Sequence, residues 1–280
     1  MSIAEMKIQR ASETDIRIVS HNILSDETCD KRYGILSEGF EALDADVVSF
    51  QEYTPNFYLG LNEALEAQGF SLIIPEDIEN HLTHLSHNTT PMFYKSAKLD
   101  LVDSGYKRYE TVKLTKNTSK SYTWGLFEEK TTKKRFIVMG THMTWAKEDF
   151  VPSPYELRKR DAVELLEKAD ELKAKYGKDI PIFLVGDFNA HPATDAFILL
   201  AENYVNSRTC EDIPSRVNID YGTCCRLNAY PPKNNTGYTI DHILFSGKGF
   251  TPKQFWHVAN DFSIRLSDHL PVLLDISLDK

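Results

Sequence analysis

Several things are scarce in this chain of 280 residues. It has four cysteines, Cys29, Cys210, Cys224 and Cys225, and no C-x-x-C pair. That excludes a disulfide-stapled miniature fold and the usual zinc-ribbon spacing. Adjacent cysteines have poor geometry for an ordinary bridge, so we expect four reduced thiols of an intracellular, cytoplasmic protein, with a Cys210 bridge to Cys224 or Cys225 left open. No apolar run approaches the roughly 18 residues of a spanning helix, and the opening MSIAEMKIQRASETD has no apolar segment of the signal-peptide kind. No exposed apolar hairpin for membrane insertion is evident. Internal repeats and Gly/Ser linkers are also missing. Positive charge is short, with 32 Lys and Arg against 41 Asp and Glu, a net charge of −9. Such a balance opposes sequence-independent binding to duplex DNA, which rests on phosphate neutralisation by basic side chains. It still permits phosphate chemistry where a divalent cation or a local basic patch reverses the field.

What remains is a globular composition, 41% hydrophobic and 26% charged, long enough to bury a core without staples. Strand-like and helix-like stretches alternate. Ile16–Leu24, Ala45–Gln51, Phe70–Ile74 and Pro91–Lys95 read as strands. Leu99–Tyr106, Ser121–Glu129 and Lys134–His142 read as successive antiparallel strands, and Ile180–Val185, Ile240–Phe245 and Val272–Ile276 as later ones. Helical spacing marks Arg32–Leu43, Pro55–Gln68, Pro154–Tyr176 and Ala193–Ala201. Asn203–Tyr238 is turn-rich and too interrupted for a second domain. The pattern predicts a polar tail over residues 1–14 and one α/β (α+β) domain over 15–280.

Polar side chains collect where these strands end. Asn22 follows His21 in the first strand, Gln51 and Glu52 follow VVSF, and His142 closes KRFIVMGTH. Asp187 and Asn189 follow IFLVG, Asp241 and His242 follow YTI, and Asp268 and His269 precede LPVLLDI. Each has a plainer reading: a solvated turn carboxylate, an Asp/Asn turn, a strand cap. Six such groups, each at a strand end, fit the way an α/β sheet delivers catalytic groups.

Together the segments Ser20-His21-Asn22-Ile23-Leu24, Phe50-Gln51-Glu52, Gly140-Thr141-His142, Gly186-Asp187-Phe188-Asn189, Ile240-Asp241-His242-Ile243 and Ser267-Asp268-His269-Leu270-Pro271-Val272 resemble the endonuclease/exonuclease/phosphatase superfamily. That fold is shared by exonuclease III-type enzymes, deoxyribonuclease and nocturnin-like deadenylases. The resemblance implies a four-layer α-β-β-α sandwich with two packed mixed β-sheets, and hydrolysis of a phosphoester with Mg²⁺ or Mn²⁺. It makes Glu52 the chief metal ligand, with Asn22 and Asp268 beside the metal. Asp187 would orient or deprotonate the attacking water and Asn189 would fix that water or the phosphoryl group. His269, oriented by Asp241, would stabilise the transition state, and His142 would donate to a phosphate oxygen or the leaving group. SHNILSD, MFYK and KLDLV resemble the nocturnin-like branch, although most branches carry an aromatic residue where this chain has His21. QEYTPNFY is similar to tyrosyl-DNA phosphodiesterases.

The substrate expected is a nucleic acid or nucleotide-type phosphate ester, with a sugar phosphate or lipid headgroup as the alternative and a monomer as the working unit. A binding protein that has lost the chemistry would lack a metal carboxylate or the terminal histidine, and this chain keeps both. Arg158 reads either as part of a solvated helix face or as a phosphate-steering arginine. Arg226 and Tyr230 read as a surface loop or as groups stacking on a base or headgroup. His81, His84 and His87 recur every third residue in HLTHLSH. They suit a cleft-rim loop better than a zinc site, because no carboxylate or cysteine cluster lies nearby.

Overall fold

The computed structural model describes residues 8–12, 15–25, 29–74, 89–116, 119–224, 238–260 and 263–279. In chain order the first elements are β1 (Ile16–Asn22), α1 (Cys29–Leu43), β2 (Val47–Gln51), α2 (Pro55–Gly60), α3 (Asn62–Ala67), β3 (Phe70–Leu72) and β4 (Met92–Lys95). Then come β5 (Leu99–Arg108), α4 (Val112–Thr115), β6 (Ser121–Glu129), β7 (Arg135–His142), α5 (Pro154–Tyr176), β8 (Ile182–Asp187) and α6 (Asp195–Ala201). The chain closes with β9 (Val205–Asn206), β10 (Ser215–Val217), β11 (Asp241–Ser246), β12 (Phe250–His257) and β13 (Val272–Leu278). Two mixed sheets result, one ordered β10-β12-β13-β1-β2-β4-β3 and the other β5-β6-β7-β8-β11-β9.

Alternation along the central strands sorts side chains into layers. Ile16, Ile18 and Val47 of the first sheet meet Val138, Phe183, Val185 and Ile243 of the second in one buried cluster between the sheets. Val19, Val48 and Phe50 point the other way, onto Leu36, Phe40 and Phe57. Ile137, Met139 and Leu184 likewise pack on Leu165, Ala169 and Phe197. The helices therefore cover the outer faces, and the four-layer expectation holds. Among the described residues no helix is long and apolar enough to cross a membrane.

The long helix α5 follows from its sequence. The Ser153 hydroxyl accepts from the Glu156 amide, Pro154 occupies the first turn, and Gly177 closes the end at φ 124°. Leu157, Ala162, Leu165, Ala169 and Leu172 give it one apolar stripe. The helix expected over Pro55–Gln68 is divided at Leu61, next to Gly60, whose missing Cβ makes room for the Tyr33 ring. Strand β12 escapes notice in the sequence because Pro252 interrupts it; the pairing with β13 takes up the proline by a register shift between Pro252 and Gln254. Within the expected tail, Ile8 is buried in the core and Arg10 pairs with Asp44 and Asp46 at 2.7 and 2.6 Å. A buried ion pair, Arg17 with Asp275 at 2.7 Å, ties β1 to β13.

Two motif glycines are packing requirements. A Cβ on Gly140 would lie 2.0 Å from Ser49 Oγ of the facing sheet, and one on Gly186, at φ 147°, would lie 2.0 Å from the Thr141 carbonyl oxygen. The clash at Gly186 is with backbone, which cannot step aside. We predict that Gly186→Ala lowers stability by about 2–4 kcal/mol, read from urea midpoints; a variant within 0.5 kcal/mol of wild type would contradict this packing.

Candidate active site

The first parallel pair, β1 with β2, sets Asn22 beside Gln51; the second, β7 with β8, sets His142 beside Asp187. Antiparallel β11 places Asp241 across from Asp187. The two central pairs thus end at the same edge of the sandwich. Gln51 turns inward, its Nε2 donating to Ser20 Oγ at 3.2 Å and to Ser49 Oγ at 3.3 Å. Glu52 follows in the left-handed region at φ 62°, which turns its carboxylate into the cleft. Asn189 is left-handed too, at φ 48°. Backbone of this kind is sparsely populated by residues with a Cβ and recurs at functional sites.

Asn22 Nδ2 donates to Glu52 Oε1 at 3.2 Å and to Asp187 Oδ2 at 3.0 Å, joining the sheets, while its Oδ1 accepts from the Leu24 amide. The Ser25 amide donates to the other Glu52 oxygen at 2.8 Å. Asp187 Oδ1 accepts from the Asn189 amide at 2.8 Å, and Asn189 Nδ2 donates to the Met143 carbonyl. His142 Nε2 stands 3.4 Å from Asp187 Oδ2. Burial works against the charge of both acids. His142, with Lys120 and donors around them, overrides it, so Glu52 is held below the usual carboxylate range and Asp187 far below it.

On the opposite side, His269 Nδ1 donates to Asp241 at 2.9 Å, and Nε2 lies 4.0 Å from Asp187 Oδ2. Burial alone would push the imidazole down, but Asp241, Asp187 and Asp268 raise it to about 10. Asp241, raised by burial to about 6 against the pull of His269, is still a carboxylate at neutral pH, so the two form an ion pair. Cys224 Sγ is 3.2 Å from His269 Nε2. Cys224 is disulfide-bonded and Cys210 is free, which corrects the expectation of four reduced thiols and excludes a bridge between these two. A bridged sulfur has no proton, so the imidazolium N–H donates to it. His21 is fully buried behind this group, donating to the His269 carbonyl at 3.2 Å; burial holds it neutral, down to about 3.

The structure therefore gathers Asn22, Glu52, His142, Asp187, Asn189, Asp241 and His269. Asp268 is exposed, but offers an oxygen within 4.8 Å of donor atoms on His269 and Cys224. Arg158 lies 7% exposed on the cleft wall, which overturns its solvated-face reading; Arg160 is the solvated one, paired with Glu156. Arg226, Tyr230 and the three histidines of HLTHLSH lie outside the described residues.

Two residues went unseen in the sequence. Lys120 is 4% exposed, and its ammonium donates to His142 Nε2. Burial lowers it to about 8, opposed by Asp187 and Glu52. The available signal was its place just before β6, whose first residue Ser121 pairs with His142. Asp161, fully buried, accepts from Thr111 Oγ1 at 2.6 Å and from the Thr144 amide at 2.7 Å, fastening the segment after His142 to α5. Helical spacing hides it as one more acidic residue of α5.

Among the described residues, no lysine or arginine comes within ion-pair distance of Glu52 or Asp187. Two ionised carboxylates, Glu52 and Asp187, share the cleft, oxygen donors that suit a hard divalent cation. Asp187, Asp241 and His269 also bring donor atoms within 4.8 Å of one another, but the His269 Nδ1 proton is already committed to Asp241. The residues present fit a metal on the Glu52 side.

The model of the Endonuclease/Exonuclease/phosphatase family matches residues 19–269, and the chain belongs to that family. It is a phosphoesterase of this superfamily, whose enzymes are hydrolases of phosphate esters that use divalent metals. No curated protein sequence matches it. Among solved structures it is similar to the endonuclease/exonuclease/phosphatase from Bacteroides vulgatus, with 23% identity, 95% of this chain and 100% of that one covered, and a TM-score of 0.74. The Bacteroides thetaiotaomicron mannosyl-6-phosphatase gives 21%, 94%, 100% and 0.71. The human Nocturnin catalytic domain with bound sulfate gives 19%, 95%, 95% and 0.69. At these identities the likenesses speak for the fold.

Asp241→Asn tests the electrostatics. With the carboxylate gone, burial becomes the dominant influence on His269. Its pKa is expected to fall from about 10 by several units, followed by ¹⁵N NMR of the imidazole; a value unchanged within one unit would contradict the ion pair.

Proposed function

We propose that this protein is a Mg²⁺- or Mn²⁺-dependent hydrolase that cleaves a phosphodiester or phosphomonoester of a nucleic acid or nucleotide-type substrate by in-line attack of water. The observation that carries this is the bridge from Asn22 to both Glu52 and Asp187, opposite the Asp241–His269 ion pair. Glu52 would hold the metal, with Asn22 at its margin, while Asp268 stands with His269 and Cys224. When bound, the ion would polarise a phosphoryl oxygen and offset the charge that builds up in the transition state.

The side chains divide the remaining work. Asp187 is so strongly ionised that it is a weak base, which suits it to orient the attacking water rather than to keep its proton. The Asn189 amide donation fixes the rotation of that carboxylate, and the Asn189 side chain lines the cleft beside it. His269 is an imidazolium at neutral pH and would place positive charge beside a phosphoryl oxygen. Asp241 holds the ring in that orientation, as buried carboxylates do for other histidines. Lys120, its ammonium held by His142 Nε2, is a second donor beside β7, suited to a phosphate oxygen or the leaving-group oxygen. Phosphoryl transfer is governed by positioning and charge compensation, and this cleft contains groups for both.

The test is hydrolysis of bis-p-nitrophenyl phosphate and of short oligonucleotides with Mg²⁺, Mn²⁺ or EDTA. Turnover is expected with either metal and not with EDTA. Glu52→Gln and His269→Ala should each lose about 10³-fold or more in kcat. Turnover unaffected by EDTA and by Glu52→Gln would contradict the proposal. Lys120→Met is expected to lose roughly 10²-fold in kcat/KM; activity within threefold of wild type would remove Lys120 from the reacting centre.

A further inference from the structure

The cleft is about 740 Å³, within the range of small-ligand pockets, and it extends past His142 to a wall that hydrolysis of a single phosphate does not use. Arg158 stands there. It is 7% exposed and, among the described residues, its Nε is buried without a hydrogen-bond partner and its one polar contact is a long 3.5 Å approach of Nη1 to the Thr144 carbonyl. Among the described residues no carboxylate comes within ion-pair distance of it. Its neighbours on α5 differ: Lys159 pairs with Asp195 and Arg160 with Glu156, both at the surface. Asp161 and Asp187 attract it only from beyond ion-pair distance; a buried guanidinium without a contacting carboxylate is costly to the folded chain, and its planar fork matches a phosphate bidentately.

Rings surround it. The guanidinium lies 5.0 Å from the Tyr155 ring centroid. Tyr155 and Trp145 are 55% and 56% exposed, though both line the cleft with Glu52, His142 and Asp187. Tyr238, 52% exposed, lines it near Cys224 and His269. Large rings left half-uncovered inside a cleft offer flat faces on which a base can stack.

We propose that Arg158, with Trp145 and Tyr155, forms a second anion subsite that selects a nucleotide bearing a phosphate in addition to the scissile one over a compact sugar monophosphate. This rests on the phosphoesterase reading, which puts the scissile phosphate between Glu52, Lys120 and His269. No hydrogen bond joins Arg158 to that group, so the guanidinium is free to hold a separate phosphate while the base lies against Trp145.

The probes are adenosine 5′-monophosphate, adenosine 3′,5′-bisphosphate and mannose 6-phosphate, bound to the full chain in EDTA and followed by calorimetry. Wild type is expected to prefer the bisphosphate to the monophosphate by about 10-fold or more. Arg158→Met should abolish that preference, and Arg158→Lys, which keeps the charge without the fork, should keep part of it. Trp145→Ala should weaken both adenosine compounds by about 5-fold or more and leave mannose 6-phosphate unchanged. Equal affinity of wild type for the two adenosine compounds would overturn the subsite. So would mannose 6-phosphate binding as tightly as the bisphosphate, or the preference surviving in Arg158→Met. Hydrolysis of bis-p-nitrophenyl phosphate by the same wild-type sample separates the two proposals. Turnover without the preference sinks the subsite alone; the preference without turnover sinks the phosphoesterase reading and leaves a nucleotide-binding site.

Discussion

The site depends on how closely the two sheets approach at their centre. Gly140 of β7 leaves just enough room for the Ser49 hydroxyl of β2, and Gln51 fills the adjoining space with hydrogen bonds to Ser20 and Ser49. Because the sheets touch there, a single short amide, Asn22, reaches a carboxylate on each of them. A bulkier residue at Gly140 would widen the gap and place Glu52 and Asp187 out of reach of one side chain. The glycines and the amide are therefore one constraint: the first set the sheet spacing, and the second uses it.

The electrostatics follow from burial as much as from the number of charges. Net charge is −9, yet the cleft contains three buried cationic groups, Lys120, Arg158 and His269, none of them more than 7% exposed. Low local polarity lengthens the reach of each charge, so His142 and Lys120 depress Glu52 although neither forms an ion pair with it. The same burial keeps His21 neutral where it supports the His269 backbone.

Much of this was legible in the sequence, because parallel strands end where polar side chains begin. Asn22, Glu52, His142, Asp187, Asp241 and His269 each stand one step from an apolar run, and the sheet registers bring those ends to one edge. Lys120 stayed hidden because it opens a strand rather than closing one, and only the antiparallel pairing of β6 with β7 sets it beside His142. Arg158 looked like one charge in a charged helix, since three-dimensional packing and not spacing decides which of Arg158, Lys159 and Arg160 is covered. Strand β12 was obscured by Pro252, and the Cys224 disulfide by the expectation of four reduced thiols.

On the proposed reading a divalent cation sits beside Glu52, away from the imidazole of His269. The most direct measurement is anomalous diffraction from crystals of the full chain soaked in Mn²⁺. One strong peak in contact with a Glu52 carboxylate oxygen is expected, lost in Glu52→Gln. A peak held instead by His269 and Cys224, or one that persists unchanged in Glu52→Gln, would contradict it.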